Sequence, residues 1–120
     1  MSQLPSVLIV ESRADEREVL STALALRGLR IWEAAATNDA LALAREHHPD
    51  VIVLDADGDA DAAGEMVACL GTGDSAEGPA LIILGRIGHE KLPPESHVVA
   101  KPYHFAPLIR KIEQLAIKAA

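Results

Sequence analysis

Apolar residues fall along this chain in two alternating periods. Val7 to Val10 is a short β-branched run, which predicts a buried strand. From Ser12 to Gly28 the period changes: Val19, Leu20, Ala23, Leu24 and Leu26 recur at helical spacing, and Gly28 stands where a helix stop is expected. Arg30 to Ala35 reads as a weaker strand. Thr37 or Asn38 is positioned to cap a second helix carrying Ala40, Leu41 and Ala44, which His48 and Pro49 close. Val51 to Leu54 is the most apolar strand and is expected at the centre. An acidic, Gly-containing loop follows, then a short helix over 63–70, a polar connection over 71–79, and another buried strand over 80–84. The segment 86–96 breaks the rhythm, since Gly88 and the pair Pro93, Pro94 argue against a full helix. A short last strand over 97–100 leads to a helix over 106–119 with Leu108, Ile109, Ile112, Leu115 and Ala116 on one face.

Up to residue 84 strand and helix alternate, which implies right-handed crossovers, hence a doubly wound α/β domain whose parallel sheet carries helices on both faces. In such folds the chemistry sits in the crevice at the carboxyl ends of the strands. Asp55 ends the most apolar strand, Glu11 and Ser12 follow the first, and Lys101 follows the last. Asp55 is therefore a candidate phosphoryl acceptor or metal ligand, against the plainer reading of a solvated strand-end acid.

Composition narrows the picture. The chain has 120 residues, 49% of them apolar and 24% charged, enough for one compact domain over 1–120 without disulfides or metal. Aromatics are limited to Trp32, Tyr103 and Phe105, so Leu, Ile, Val and Ala must fill the core. Trp32 is expected at a sheet or helix edge. A net charge of −7 and the lack of any basic run argue against a nucleic-acid surface. Cys69, the only cysteine, is expected to be a small buried hydrophobe, and a reducing cytoplasm is the simplest compartment. No signal peptide and no apolar window of membrane length is evident, so neither secretion nor membrane insertion is expected.

The order and spacing of these residues resemble the receiver domain of two-component response regulators, a flavodoxin-like fold. Val7-Leu8-Ile9-Val10-Glu11-Ser12 is similar to that family's first strand with its acidic pair, Asp55 to its phospho-acceptor, and Lys101-Pro102-Tyr103 to its lysine-proline-aromatic motif. Ile31, Ala34, Ala40 and Leu41 fall where the family keeps apolar residues. The resemblance covers essentially the whole chain. It implies a five-stranded parallel sheet, a signalling module and no enzyme, and a cis Lys101–Pro102 peptide. It also implies Mg²⁺ and a histidine kinase or phosphotransfer protein as partner. A carboxylate attacking an anionic phosphoryl group needs cations to offset like-charge repulsion, and Lys101 with a divalent ion would supply them.

The departures are specific. Ser12 replaces the second acid, so the site over Glu11, Asp55 and Asp57 should hold Mg²⁺ weakly, with the Asp57 carboxylate as a candidate substitute. Gly85 stands where the family has a hydroxyl, and Arg86 beside it is a candidate phosphoryl contact or ion-pair partner for Asp55. Val98 replaces the switch residue, and Gly58-Asp59 replaces the Met-Pro pair after the acceptor. The stretch from Gly85 to Lys101 is shorter than usual, which implies a shortened or missing fourth helix. These changes imply an atypical receiver with no output domain attached. It is either still phosphorylated on Asp55 or a pseudo-receiver working by constitutive protein contact, the second being favoured.

Leu54-Asp55-Ala56-Asp57-Gly58-Asp59 also resembles the nucleophile motif of haloacid-dehalogenase-type phosphatases, but Pro102, Tyr103 and His104 follow Lys101 where those enzymes need acids. The alternation Asp55, Asp57, Asp59, Asp61 is a poor calcium loop, because Ala60 occupies the required Gly position. The histidines show no ligand spacing. The apolar stripe of the last helix is either core or a face for a homodimer.

Overall fold

Alternation inside each apolar run decides the layering. On β1 (Ser6–Val10), Val7 and Ile9 join one core cluster while Leu8 and Val10 join the other. The split repeats on β3 (Val51–Asp55), with Val51 and Val53 against Ile52 and Leu54, and on β4 (Ala80–Leu84), with Ile82 and Leu84 against Leu81 and Ile83. A strand apolar on both sides is one covered on both sides.

The computed structural model describes residues 4–55, 60–70, 78–85 and 97–119. Among them α1 (Ala14–Ala25) follows β1; then come β2 (Arg30–Ala34), α2 (Thr37–His47), β3, α3 (Ala60–Leu70), β4, β5 (His97–Val99) and α4 (Phe105–Ala119). The five strands are all parallel, in the order β2-β1-β3-β4-β5. Leu20 and Leu24 of α1 and Leu108, Ile109, Ile112 and Ala116 of α4 cover one face; Ala40, Leu41 and Ala44 of α2 and Met66 of α3 cover the other. The doubly wound α/β reading holds, and the stripe on α4 is core. No helix among the described residues is long and apolar enough to cross a membrane.

Several details differ from the sequence reading. Helix α1 keeps only part of its apolar set: Val19 is 56% and Leu26 83% exposed, and Leu26 stands two positions after the buried Leu24, on the opposite side of the helix. Neither Thr37 nor Asn38 caps α2; Ala36 occupies that position without a side-chain hydrogen bond. The helix ends in the left-handed His48, with φ of 49°. Helix α3 begins at Ala60, which takes Asp61 into its first turn and dissolves the calcium-loop alternation. Cys69 is exposed, not buried. The shortened helix expected over 86–96 falls outside the described residues.

Two anchors fix the ends of the sheet. At the amino end, Ser6 N donates to Asp50 Oδ2 at 2.9 Å and Asp50 N to Ser6 Oγ at 3.2 Å, tying β1 to the start of β3. At the edge, Trp32 of β2 stacks on His47 with centroids 4.5 Å apart, and the Arg30 guanidinium lies 5.2 Å from the Trp32 ring.

Candidate functional site

The sheet order places the winding reversal between β1 and β3, since β1 has β2 on one side and β3 on the other. That switch point opens a crevice at the carboxyl ends of the strands. Glu11 emerges there one residue past β1, and its backbone N–H continues the sheet by donating to Ala34 O at 3.0 Å. Asp55 is the last residue of β3, paired in register with Leu84. Lys101 arrives from two strands away, two residues past β5.

The structure brings these three together. Lys101 Nζ donates to Asp55 Oδ2 at 2.5 Å, with the lysine and aspartate side chains only 21% and 8% exposed. The Lys101–Pro102 peptide is cis. Glu11 is 3% exposed, and its Oε1 accepts the Arg13 backbone N–H at 2.9 Å. Its Oε2 is buried and receives no hydrogen bond from an N–H or O–H group of a described residue. Arg17 Nη1 donates to the Glu11 carbonyl at 2.8 Å, which holds the turn from β1 into α1.

Burial pushes the Glu11 carboxyl up from 4.5 to about 7, and the side-chain hydrogen bond with Asp55 pushes in the same direction. The backbone N–H of Arg13 works against this rise, and the charges of Asp55 and Glu16 add to it. At neutral pH Glu11 thus exchanges a proton next to Asp55. Tyr103, half-buried beside the same groups, is raised first by burial; Lys101 opposes the shift, and Glu16, Asp55 and Glu11 reinforce it.

Glu16 is the residue the sequence reading missed. One carboxylate oxygen each from Glu11, Glu16 and Asp55 lie within 4.8 Å of one another. Glu16 sits in the first turn of α1, close to Glu11 just past the end of β1. The available signal was positional: the first turn after an acidic strand end faces the same crevice.

Ser12 is exposed, and Gly85 is buried at the end of β4, where its N–H donates to Val99 O at 3.0 Å. Gly85 has φ of 130°, backbone geometry that favours glycine, so the missing hydroxyl is matched by a backbone that does not welcome a side chain. Val98 is half-buried on β5. Asp57, Gly58, Asp59 and Arg86 lie outside the described residues.

The receiver domain protein of Methanospirillum hungatei, CheY-like, superposes with a TM-score of 0.78 at 16% identity, covering 98% of this chain and 97% of that one. The chain has the receiver fold. The receiver domain of the Francisella response regulator 1452 gives 0.75 at 20% identity, over 97% and 99% of the two chains. Vibrio cholerae chemotaxis protein CheY4 gives 0.73 at 18%, over 94% and 99%. No protein-family model matches the sequence, and no curated protein does. The receiver fold therefore carries a likeness that sequence similarity does not, and these structures lend nothing to the phosphatase alternative.

Proposed function

We propose that residues 1–120 form an atypical receiver domain of two-component signal transduction, a protein-interaction module and not an enzyme, in which Asp55 holds the phospho-acceptor position and its phosphorylation is impaired. The observation that carries this reading is the convergence of Glu11, Asp55 and Lys101 at the carboxyl ends of β1, β3 and β5. An acceptor carboxylate needs an open oxygen, a cation against the incoming phosphoryl group, and donors for its oxygens. Lys101 meets the second need. The third is met poorly, because Gly85 supplies no hydroxyl, and Ser12 in place of an acid removes one ligand for a cation.

The three acids suit a hard divalent cation such as Mg²⁺, because the donors are all carboxylates and Glu11 Oε2 is buried without a hydrogen-bond donor among the described residues. Bound there, Mg²⁺ would offset charge on phosphoryl oxygens. The partners that fit are a histidine kinase or phosphotransfer protein presenting phosphohistidine, or a protein bound constitutively to the unmodified domain.

The test is incubation with acetyl phosphate or beryllofluoride and Mg²⁺, followed by intact mass for the phosphoryl group and amide NMR shifts for beryllofluoride. The expected result is a substoichiometric or absent adduct. A stoichiometric adduct that disappears in Asp55→Asn overturns the impairment. A stoichiometric adduct retained in Asp55→Asn removes Asp55 from the acceptor position as well.

A further inference from the structure

The carboxylate lacking at Ser12 has a structural substitute. We propose that Glu16 supplies it, so that Glu11, Glu16 and Asp55, from β1, α1 and β3, together form the site for a hard divalent cation. This inference rests on the receiver reading only for the class of ion, Mg²⁺ or its analogue Mn²⁺. The assignment of ligands stands on this chain's own geometry.

Two independent observations carry it. The first is distance: one oxygen from each carboxylate lies within 4.8 Å of the other two. Oxygens bound to one cation at 2.0–2.6 Å lie at most about 4–5 Å apart, so the cluster already has the span of a coordination shell. The second is the buried Oε2 of Glu11, which has no hydrogen-bond donor among the described residues although Glu11 is 3% exposed. A buried carboxylate oxygen left without a donor is costly, and a cation bound to it removes that cost.

The surroundings suit an ion that keeps several waters. Glu11 is buried at the floor, while the Glu16 side chain is 43% exposed and opens the cluster to solvent. One Glu16 oxygen, Oε1, accepts from Arg13 Nη1 at 3.0 Å, which leaves Oε2 for the ion. Arg13 is 58% exposed and can release its partner at little cost. Lys101 is engaged with Asp55 Oδ2 at one side of the group, and Arg17 with the Glu11 carbonyl and Glu33. The loss at Ser12 is then made good from helix α1, and the impairment of phosphorylation falls chiefly on Gly85.

The experiment titrates the full chain with Mn²⁺ at pH 8, reading free ion by electron paramagnetic resonance, and with Mg²⁺, reading amide NMR shifts. One bound ion is expected, and Glu16→Gln should weaken it by about tenfold, the usual scale for losing one charged ligand. Glu46→Gln, an exposed glutamate on α2, should leave the affinity unchanged. In a Ser12→Asp background the same Glu16→Gln change should have little effect, because the carboxylate is restored beside Glu11. If Glu16→Gln binds Mn²⁺ as tightly as the parent while Glu11→Gln loses it, Glu16 is not a ligand and the assignment is overturned. Absence of any saturable ion in the parent also overturns it. A stoichiometric phosphoryl adduct would sink the impairment proposed above and leave this assignment standing.

Discussion

Lys101 reaches past the end of β4 to place its ammonium on the Asp55 carboxylate, and the residue at the end of that intervening strand is Gly85. The pair joins β5 to β3 with both side chains largely buried. Removing Lys101 takes this counter-charge from Asp55, which sits next to Glu11. Lys101→Met should therefore lower stability at pH 8 by about 3 kcal/mol, in the range for breaking a buried pair. Asp55→Asn should cost less, because it also removes the like charge beside Glu11. Urea unfolding of both variants checks the order; a Lys101→Met loss no larger than that of Asp55→Asn would contradict it.

The core predicts a contrast between two apolar residues on the α1/α4 side. Ile112 of α4 is fully buried, whereas Leu26 at the end of α1 is 83% exposed. Ile112→Ala should cost about 2–5 kcal/mol, since deletion of a buried side chain leaves a cavity. Leu26→Lys should change stability by no more than about 0.5 kcal/mol. Thermal unfolding distinguishes them, and near-equal losses would mean that the α4 stripe is not the core it is described as.

That contrast also marks where the sequence was legible. Continuous apolar runs at residues 7–10, 51–54 and 80–84 and the helical period of α4 made the layers legible, because each strand run is apolar on two faces and α4 on one clear stripe. Leu26 and Cys69 are apolar yet exposed, because hydrophobicity alone does not fix burial. The site was legible where a strand end carries the residue, as for Glu11, Asp55 and Lys101. Glu16 was not, because its role depends on α1 folding back over β1, a tertiary relationship that no local spacing states.

Gly85 resists repair of the missing hydroxyl. Its φ of 130° lies where a side chain is strained, and its N–H is committed to Val99 O. Gly85→Ser should lower stability by about 1–3 kcal/mol, the usual cost of holding a non-glycine residue in such a conformation. It should also fail to raise the yield of the acetyl phosphate adduct. Thermal unfolding and intact mass measure the two effects; an unchanged melting temperature would show that the backbone at this position relaxes freely.

Glu11 gives the cation-free protein a pH dependence of defined sign. Its carboxyl is raised from 4.5 to about 7 in the folded chain, first by burial and then by Asp55. Between those values the folded state holds a proton that the unfolded state has released. Stability contributed by this group is therefore full below about pH 4.5 and falls as pH rises to about 7, where the loss levels off. The slope from one such group cannot exceed about 1.4 kcal/mol per pH unit. Glu11→Gln cannot ionise, so urea unfolding at pH 5, 6, 7 and 8 with chelator present should show the parent losing stability relative to this variant across the window. Adding Mg²⁺ should recover more stability at pH 8 than at pH 5, because the ion binds the ionised carboxylate and competes with the proton. A parent and variant that keep parallel pH profiles would show that Glu11 does not retain its proton on folding.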